Sequence, residues 1–530
     1  MTKARPLLPL RGSSALAALM LAGAALGGCD GGVDAIRDQA ANLFSPVEVK
    51  EMRAAATDPE VKAFYEARQW KPAWSSGEGR RLLEALEGGA RRHGLDPSPF
   101  VQLIHSAEGR GARDAELTLA ALRYGQALSV GAIDPKSVHD IYTLDRPKTE
   151  VAAGLERALS SNRLAEWLDG LAPQDAEYKT LSDAYLAYQA RAEAAAAEPI
   201  PAGATVRPGG ADPRLALVAA RLAEEGYLAA APPAPPAGNT TQPPPAPRLT
   251  PAMAAGLKLF QADQDLRPTG ALDDATVAAL NAVAADRARQ LAVNLERRRW
   301  LARDPAATRI DVNTAANSLV YLKDGQPAWT SLTVTGSPRN KTPALGGSFK
   351  QLVVNPPWNV PDGIAKEEVL PKGQAYLDAN DMYVTEGRVV QRPGPKAALG
   401  QVKFDMQNPH AIYLHDTPTK SAFDRDERHL SHGCVRVQGA VEFARLLATD
   451  AGKGAEFDAA LASGQTKVVE LGHDVPVRLL HHTAYVDGEG RIAFTNDPYG
   501  WDDKLAAAMG LKAARRAGGG EEVIAAELGP

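Results

Sequence analysis

A chain of 530 residues is too long for one hydrophobic core and implies two to four domains. Its 45% hydrophobic content is that of a soluble globular protein, and a formal net charge of -5 with no long block of like charge gives no reason to expect nucleic acid as a partner. The two cysteines, Cys29 and Cys434, have no CxxC-type neighbours, which excludes a structural zinc site built on them.

The chain starts MTKARPLLPLRG, with Lys3, Arg5 and Arg11, and continues into the apolar run SALAALMLAGAAL and then GGC. A positive start, a short apolar centre and small residues at the end form a signal peptide, over residues 1–28. The apolar run is too short for a membrane span. Leu26-Gly27-Gly28-Cys29 resembles a bacterial lipoprotein box. The resemblance implies cleavage before Cys29, lipidation of its thiol, and anchorage in the inner or outer membrane of a Gram-negative bacterium, with the rest of the chain in the periplasm. Plain secretion with cleavage near Ala25 is the alternative. Asp30 resembles an inner-membrane retention signal. Residues 29–46 read as a tether.

Residues 47–200 are alanine-rich and helical. FYEARQW, RRLLEALEGGARRHGL, ELTLAALRYGQALSVGAI and LSDAYLAYQARAEAAAAE each place apolar residues on one helix face, and Pro199 and Pro201 end the last. Residues 210–283 form a smaller helical module interrupted by a proline-rich insertion at 231–247, which cannot pack as helix or sheet. Its residues Phe260, Gln261, Gly270, Thr276, Leu280 and Asn281 resemble the core pattern of the three-helix peptidoglycan-binding domain. A linking helix is expected at 284–306.

After Thr308 the pattern alternates with period two, as in RIDVNTAANSLVYL and SLTVTG. Residues 307–505 read as an antiparallel sandwich or open barrel with one helix near 439–449. Residues 365–400 form a polar stretch with Gly and Pro, and 506–530 a loose tail.

Within AIYLHDTP, strand alternation sends Ile412 and Leu414 to the core and Tyr413 and His415 to the other face. In HLSHGCVRV, Val435 and Val437 turn inward, Cys434 and Arg436 outward. If these strands pair, one wall of a cleft carries Tyr413, His415, Cys434 and Arg436, with the sulfur reachable from solvent and Gly433 allowing a tight turn before it. A histidine in reach of a thiol supplies what a cysteine nucleophile needs, since only the thiolate attacks. Backbone N–H groups of Gly433 and Cys434, with the Tyr413 hydroxyl, are candidate oxyanion donors. An inert buried thiol and a metal site from His415, His432 and Cys434 are the rival readings. The metal site lacks an evident fourth ligand, so no metal and no cofactor is expected.

His415 and Ser431-His432-Gly433-Cys434-Val435-Arg436 resemble the signature of the L,D-transpeptidases, and the order of parts resembles their large periplasmic type. NLERRRWL, Thr342-Pro343, NPPWNVP, LGQVKF and HTAYVDGEGRIAFTNDPYG extend the likeness over most of residues 50–505. The resemblance implies an α+β multidomain chain: helical scaffold, small peptidoglycan-binding module and mainly β catalytic domain. It implies Cys434 as nucleophile, His415 as base with its second nitrogen held by a backbone carbonyl, and a flap at about 365–400. Peptidoglycan tetrapeptide stems would be the substrate and 3→3 cross-links the product. Transfer to water or to a protein lysine, or a non-catalytic wall-binding scaffold, are the alternatives. It makes His432 the weaker base candidate, Trp358 a lining residue of the acceptor side, and cell-wall synthesis proteins candidate partners. Arg436 is either a carboxylate ligand or half of a structural ion pair. The family's Asn-Ala-Leu-Gly reads Ala397-Ala398-Leu399-Gly400 here, which removes an amide from that loop.

Overall fold

The computed structural model describes residues 44–229 and 246–513, apart from 265 and 426. The signal peptide, Cys29 and most of the proline-rich insertion lie outside the described residues.

Helices fill the first half. Ser45 caps the helix Pro46–Ala55 through a capping box. Helix Arg110–Val130 runs through the middle of the scaffold core, where Met52, Tyr65, Leu82, Tyr124, Leu155 and Leu181 are buried together. Residues 200–283 close a second core around Val218, Leu222, Leu257, Phe260 and Leu280. The motif residues here explain the fold directly. The Gln261 carboxamide accepts from Gly270 N–H and donates to the Ala271 carbonyl and the Thr276 hydroxyl. Asn281 clamps both backbone groups of Ile200.

The boundary expected near residue 283 falls inside one continuous helix, Asp274–Arg299. Its 26 residues contain no Gly or Pro to end it, so Asp273 caps it and it continues unbroken. Val277, Leu280 and Val283 enter the second core, Leu291 and Leu295 the scaffold core, and Val293 a third core with Trp300, Tyr499 and Trp501. The NLERRRWL stretch is its buried end. Glu296 pairs with Arg299, both fully buried, and accepts from Trp300 Nε1 and Ile133 N. Arg299 also donates to the Tyr178 hydroxyl and the His93 carbonyl. Glu296→Ala strands a buried guanidinium. It should cost about 3–5 kcal/mol in denaturant unfolding, and a loss under 1 kcal/mol would show that the pair is not coupled to the fold.

Among the described residues the second half carries fourteen strands: β1 (Arg309–Asn313), β2 (Ser318–Lys323), β3 (Gln326–Gly336), β4 (Leu345–Val354), β5 (Trp358–Asn359), β6 (Met382–Thr385), β7 (Arg388–Gln391), β8 (Val402–Phe404), β9 (Leu414–His415), β10 (His429–Ser431), β11 (Val435–Val437), β12 (Lys467–Leu480), β13 (Ala484–Val486) and β14 (Ile492–Phe494). The main sheet runs β10-β3-β11-β9-β8-β4-β12-β1-β2, and β2 also pairs with β3. The sheet therefore closes on itself, which differs from the expected sandwich or open barrel. It is mixed rather than antiparallel, because β1–β12, β9–β11 and β10–β3 are parallel. Two helices, Ala440–Asp450 and Gly454–Ala462, pack Phe443, Leu447 and Phe457 into its core; the second was not legible in the sequence. The stretch from 506 read as a loose tail starts inside a helix, Trp501–Ala508, which buries Trp501, Leu505 and Ala506 in the third core.

The stretch read as a polar flap is a folded cap with its own core. Strands β5, β7 and β6 form a three-stranded sheet, and Trp358, Ile364, Val369, Leu377 and Val389 pack beneath it. Ala397 is buried in its last loop, which Gln391 holds instead of an asparagine: its carboxamide accepts from Ala398 N–H and donates to the Lys396 and Asn380 carbonyls.

Candidate active site

Strand alternation places the four wall residues as expected. Leu414, Val435 and Val437 enter the barrel core, so Tyr413, His415, Cys434 and Arg436 take the other face. The parallel register of β9 and β11 puts His415 level with Arg436, and Val435 N–H donates to the Tyr413 carbonyl. Tyr413 thus sits beside Cys434, with the imidazole one step farther along the sheet. The Tyr413 and His415 rings meet edge to face at 5.7 Å.

His415 is fully buried, and its Nδ1–H donates to the Asp416 carbonyl. That bond keeps a proton on Nδ1, so the neutral ring carries its lone pair on Nε2, the form a general base requires. Asp416 is itself tied down by Gln401 N–H and Lys420.

The sulfur departs from expectation. Cys434 is only 5% exposed. The thiol contacts the Ala411 carbonyl at 3.6 Å. Burial pushes its pKa up to about 11; the Tyr413 backbone N–H and hydroxyl, Lys403 and Arg436 oppose that rise. Tyr413 is raised by burial and by the adjacent thiol, so its hydroxyl stays protonated as a donor. Iodoacetamide alkylation of the resting protein should therefore stay slow through neutral pH and rise toward pH 11. A midpoint near 8.5, the value of a free thiol, would mean that the sulfur is open to solvent. Because the folded thiol titrates above its unfolded value, its contribution to stability is present below about pH 9 and lost as pH rises to about 11.

The turn before the sulfur is built as Gly433 suggested. Its φ is +116°, and a Cβ there would meet Ile412 Cδ1 at 3.2 Å. Ser431 is a brace within it: its hydroxyl donates to the Cys434 carbonyl at 2.6 Å and accepts from Gly433 N–H at 3.1 Å. The Gly433 N–H is thereby occupied, which corrects its assignment as an oxyanion donor. His432 faces the cap, where its Nε2 pairs with Glu368. His429 is held by the Thr314 carbonyl, Glu427 and Asn317. Arg436 is buried and its charge favours the thiolate. Trp358 is buried in the cap core against which Tyr413 packs, so it joins the roof to the wall.

Sequence reasoning missed Lys403, which lies level with His415 on β8 with its ammonium 4.3 Å from the centre of the Tyr413 ring and 2.8 Å from Asp405. It also missed Glu368, 64 residues from its partner. Among the described residues no group of three or more His, Cys, Asp or Glu is arranged to hold a metal ion. A cavity of about 840 Å³ opens in the scaffold beside Phe64, Arg68 and Val151, away from the cysteine.

Residues 307–469 match the L,D-transpeptidase catalytic domain family, and residues 59–185 match the scaffold domain family. The chain carries an L,D-transpeptidase catalytic domain. A Haemophilus influenzae protein assigned provisionally to the L,D-transpeptidases is 33% identical over 224 residues, which are 37% of this chain and 45% of that relative. The chain thus spans about half the length of the curated relative it matches. Two solved structures are similar to parts of it. A cysteine-to-serine mutant of the Enterococcus faecium L,D-transpeptidase is 14% identical, covers 34% of this chain and 53% of its own, and has a TM-score of 0.17. An L,D-transpeptidase from Xylanimonas cellulosilytica is 14% identical, covers 53% of this chain and 98% of its own, and has a TM-score of 0.14. The L,D-transpeptidase domain is joined to the scaffold through buried residues of both parts: Trp300 packs on Tyr142 on one side and Trp501 lies in the same core on the other.

Proposed function

We propose that the protein is a periplasmic, lipid-anchored peptidoglycan L,D-transpeptidase that forms 3→3 cross-links through a thioester on Cys434. The observation that carries this reading is the shared face of Tyr413, His415, Cys434 and Arg436, with His415 held in the tautomer of a base.

His415 Nε2 takes the thiol proton. The thiolate attacks the carbonyl carbon between diaminopimelate at position three and D-alanine at position four of a stem tetrapeptide. The C–N bond breaks, D-alanine leaves with the proton returned by the imidazolium, and a thioester remains. The side-chain amine of a second stem attacks that thioester, loses a proton to His415, and releases the thiolate. The cap keeps water from the thioester, which favours transpeptidation over hydrolysis. The module at 200–283 would hold glycan near the cleft and raise the local stem concentration. Cys29 would carry the lipid.

The test mixes the full chain, in detergent, with disaccharide-tetrapeptide and follows products by mass spectrometry. The expected result is D-alanine release together with a 3→3 dimer. Release without a dimer points to a carboxypeptidase, and a product on an added protein lysine to protein attachment. No adduct on Cys434 from either the stem or a carbapenem leaves a wall-binding scaffold.

A further inference from the structure

Two motifs have no part in the chemistry above: Thr342-Pro343 and the NDPYG near the end of the chain. They meet behind the nucleophile. The Thr342 hydroxyl accepts from Gly336 N–H at 2.8 Å and donates to the Gly433 carbonyl at 2.8 Å. Thr342 N–H donates to the Tyr499 hydroxyl at 3.2 Å, and that hydroxyl donates to the Gly336 carbonyl at 2.8 Å. Burial raises the Tyr499 pKa, so its phenol keeps the proton that both roles require.

Tyr499 is in turn fixed on three sides. Its ring stacks on His481 with centroids 5.2 Å apart. His481 is strung between the Thr314 hydroxyl and the Asp497 carboxylate, each at 3.0 Å. Asp497 also accepts from Tyr499 N–H at 3.1 Å, and the Lys341 ammonium donates to the Tyr499 carbonyl at 2.7 Å.

The Gly433 carbonyl and the Cys434 N–H belong to one peptide unit. The unit is planar and trans, so the two groups point in opposite directions. Glycine at φ +116° offers no side chain to set the tilt of that plane. Hydrogen bonds must set it: Ser431 holds the peptide groups on either side, and Thr342 holds this one from behind. With the carbonyl anchored at Thr342, the Cys434 N–H is turned away from the brace.

We propose that Thr342, seated by Tyr499, is a positioning residue that aims the Cys434 N–H at the oxyanion formed when the thiolate adds to the acyl carbonyl. This rests on the thioester reading above. It also extends the catalytic unit beyond residue 469, where the matched family segment ends, to a tyrosine near the last described helix.

The test compares the full chain with its Thr342→Val, Thr342→Ser and Tyr499→Phe variants by two readouts. One is the acylation rate, from D-alanine release and from carbapenem adduct formation. The other is alkylation of Cys434 by iodoacetamide across pH, which needs no oxyanion donor. Thr342→Val should slow acylation about 100-fold, the scale of a lost oxyanion donor, with the alkylation profile within twofold of wild type. Thr342→Ser should restore acylation to within a few-fold, and Tyr499→Phe should slow it about tenfold, also without moving alkylation. If Thr342→Val does not fold, the Tyr499→Phe result decides alone. Acylation at the wild-type rate in the folded variants overturns the brace. So does a parallel fall of acylation and alkylation, which marks mere structural support. A wild-type protein that is alkylated but never acylated overturns the thioester reading itself, and the aiming role with it.

Discussion

Cys434→Ala should abolish D-alanine release and leave no stem or carbapenem adduct anywhere on the chain. The expected drop is on the order of 10⁶-fold, the scale found when a nucleophile that works with its base as one unit is removed. The fold should survive the change, because the thiol makes only sulfur contacts, to the Ala411 carbonyl and to the Tyr413 backbone N–H and hydroxyl. An unfolding midpoint close to wild type, together with lost activity, separates chemistry from packing. Retained activity in this variant would end the thioester mechanism.

His415→Ala should slow thioester formation by about 10²- to 10⁴-fold, the usual worth of a positioned general base. His432→Ala should slow it less than tenfold. The two histidines both precede the same cysteine in the sequence but differ in surroundings. His415 donates Nδ1–H to the Asp416 carbonyl on the barrel wall, whereas His432 turns Nε2 to Glu368 of the cap. Adding His415→Ala to Cys434→Ala should cost nothing more, since the two side chains serve one proton transfer. Stopped-flow or mass-spectrometric acylation rates check both statements. Equal losses from the two histidine variants would overturn the assignment of the base.

Much of the wall was legible because a strand has a period of two. Knowing that Leu414 and Val435 are apolar is enough to place Tyr413, His415, Cys434 and Arg436 together. What escaped depends on contacts between distant residues. Glu368 reaches His432 across 64 positions, and Tyr499 reaches Thr342 across 157. No local pattern announces such pairs. The cap was misjudged for a related reason. Its polar, Gly- and Pro-containing text matches a loose loop, yet a few apolar residues spaced through it close a small core under Trp358. The burial of the sulfur escaped for its own reason: alternation tells which side of the sheet a thiol takes, not what lies above it. The module boundary near residue 283 failed because a change of partner leaves no mark on a helix whose sequence never breaks.

That unbroken helix has a mechanical meaning. At 1.5 Å per residue it is a rod about 39 Å long, and its side chains are shared among three separate cores. No one of them can melt without stripping cover from the others. Motion at the 200–283 end is delivered to the barrel as a lever's swing rather than lost in a hinge.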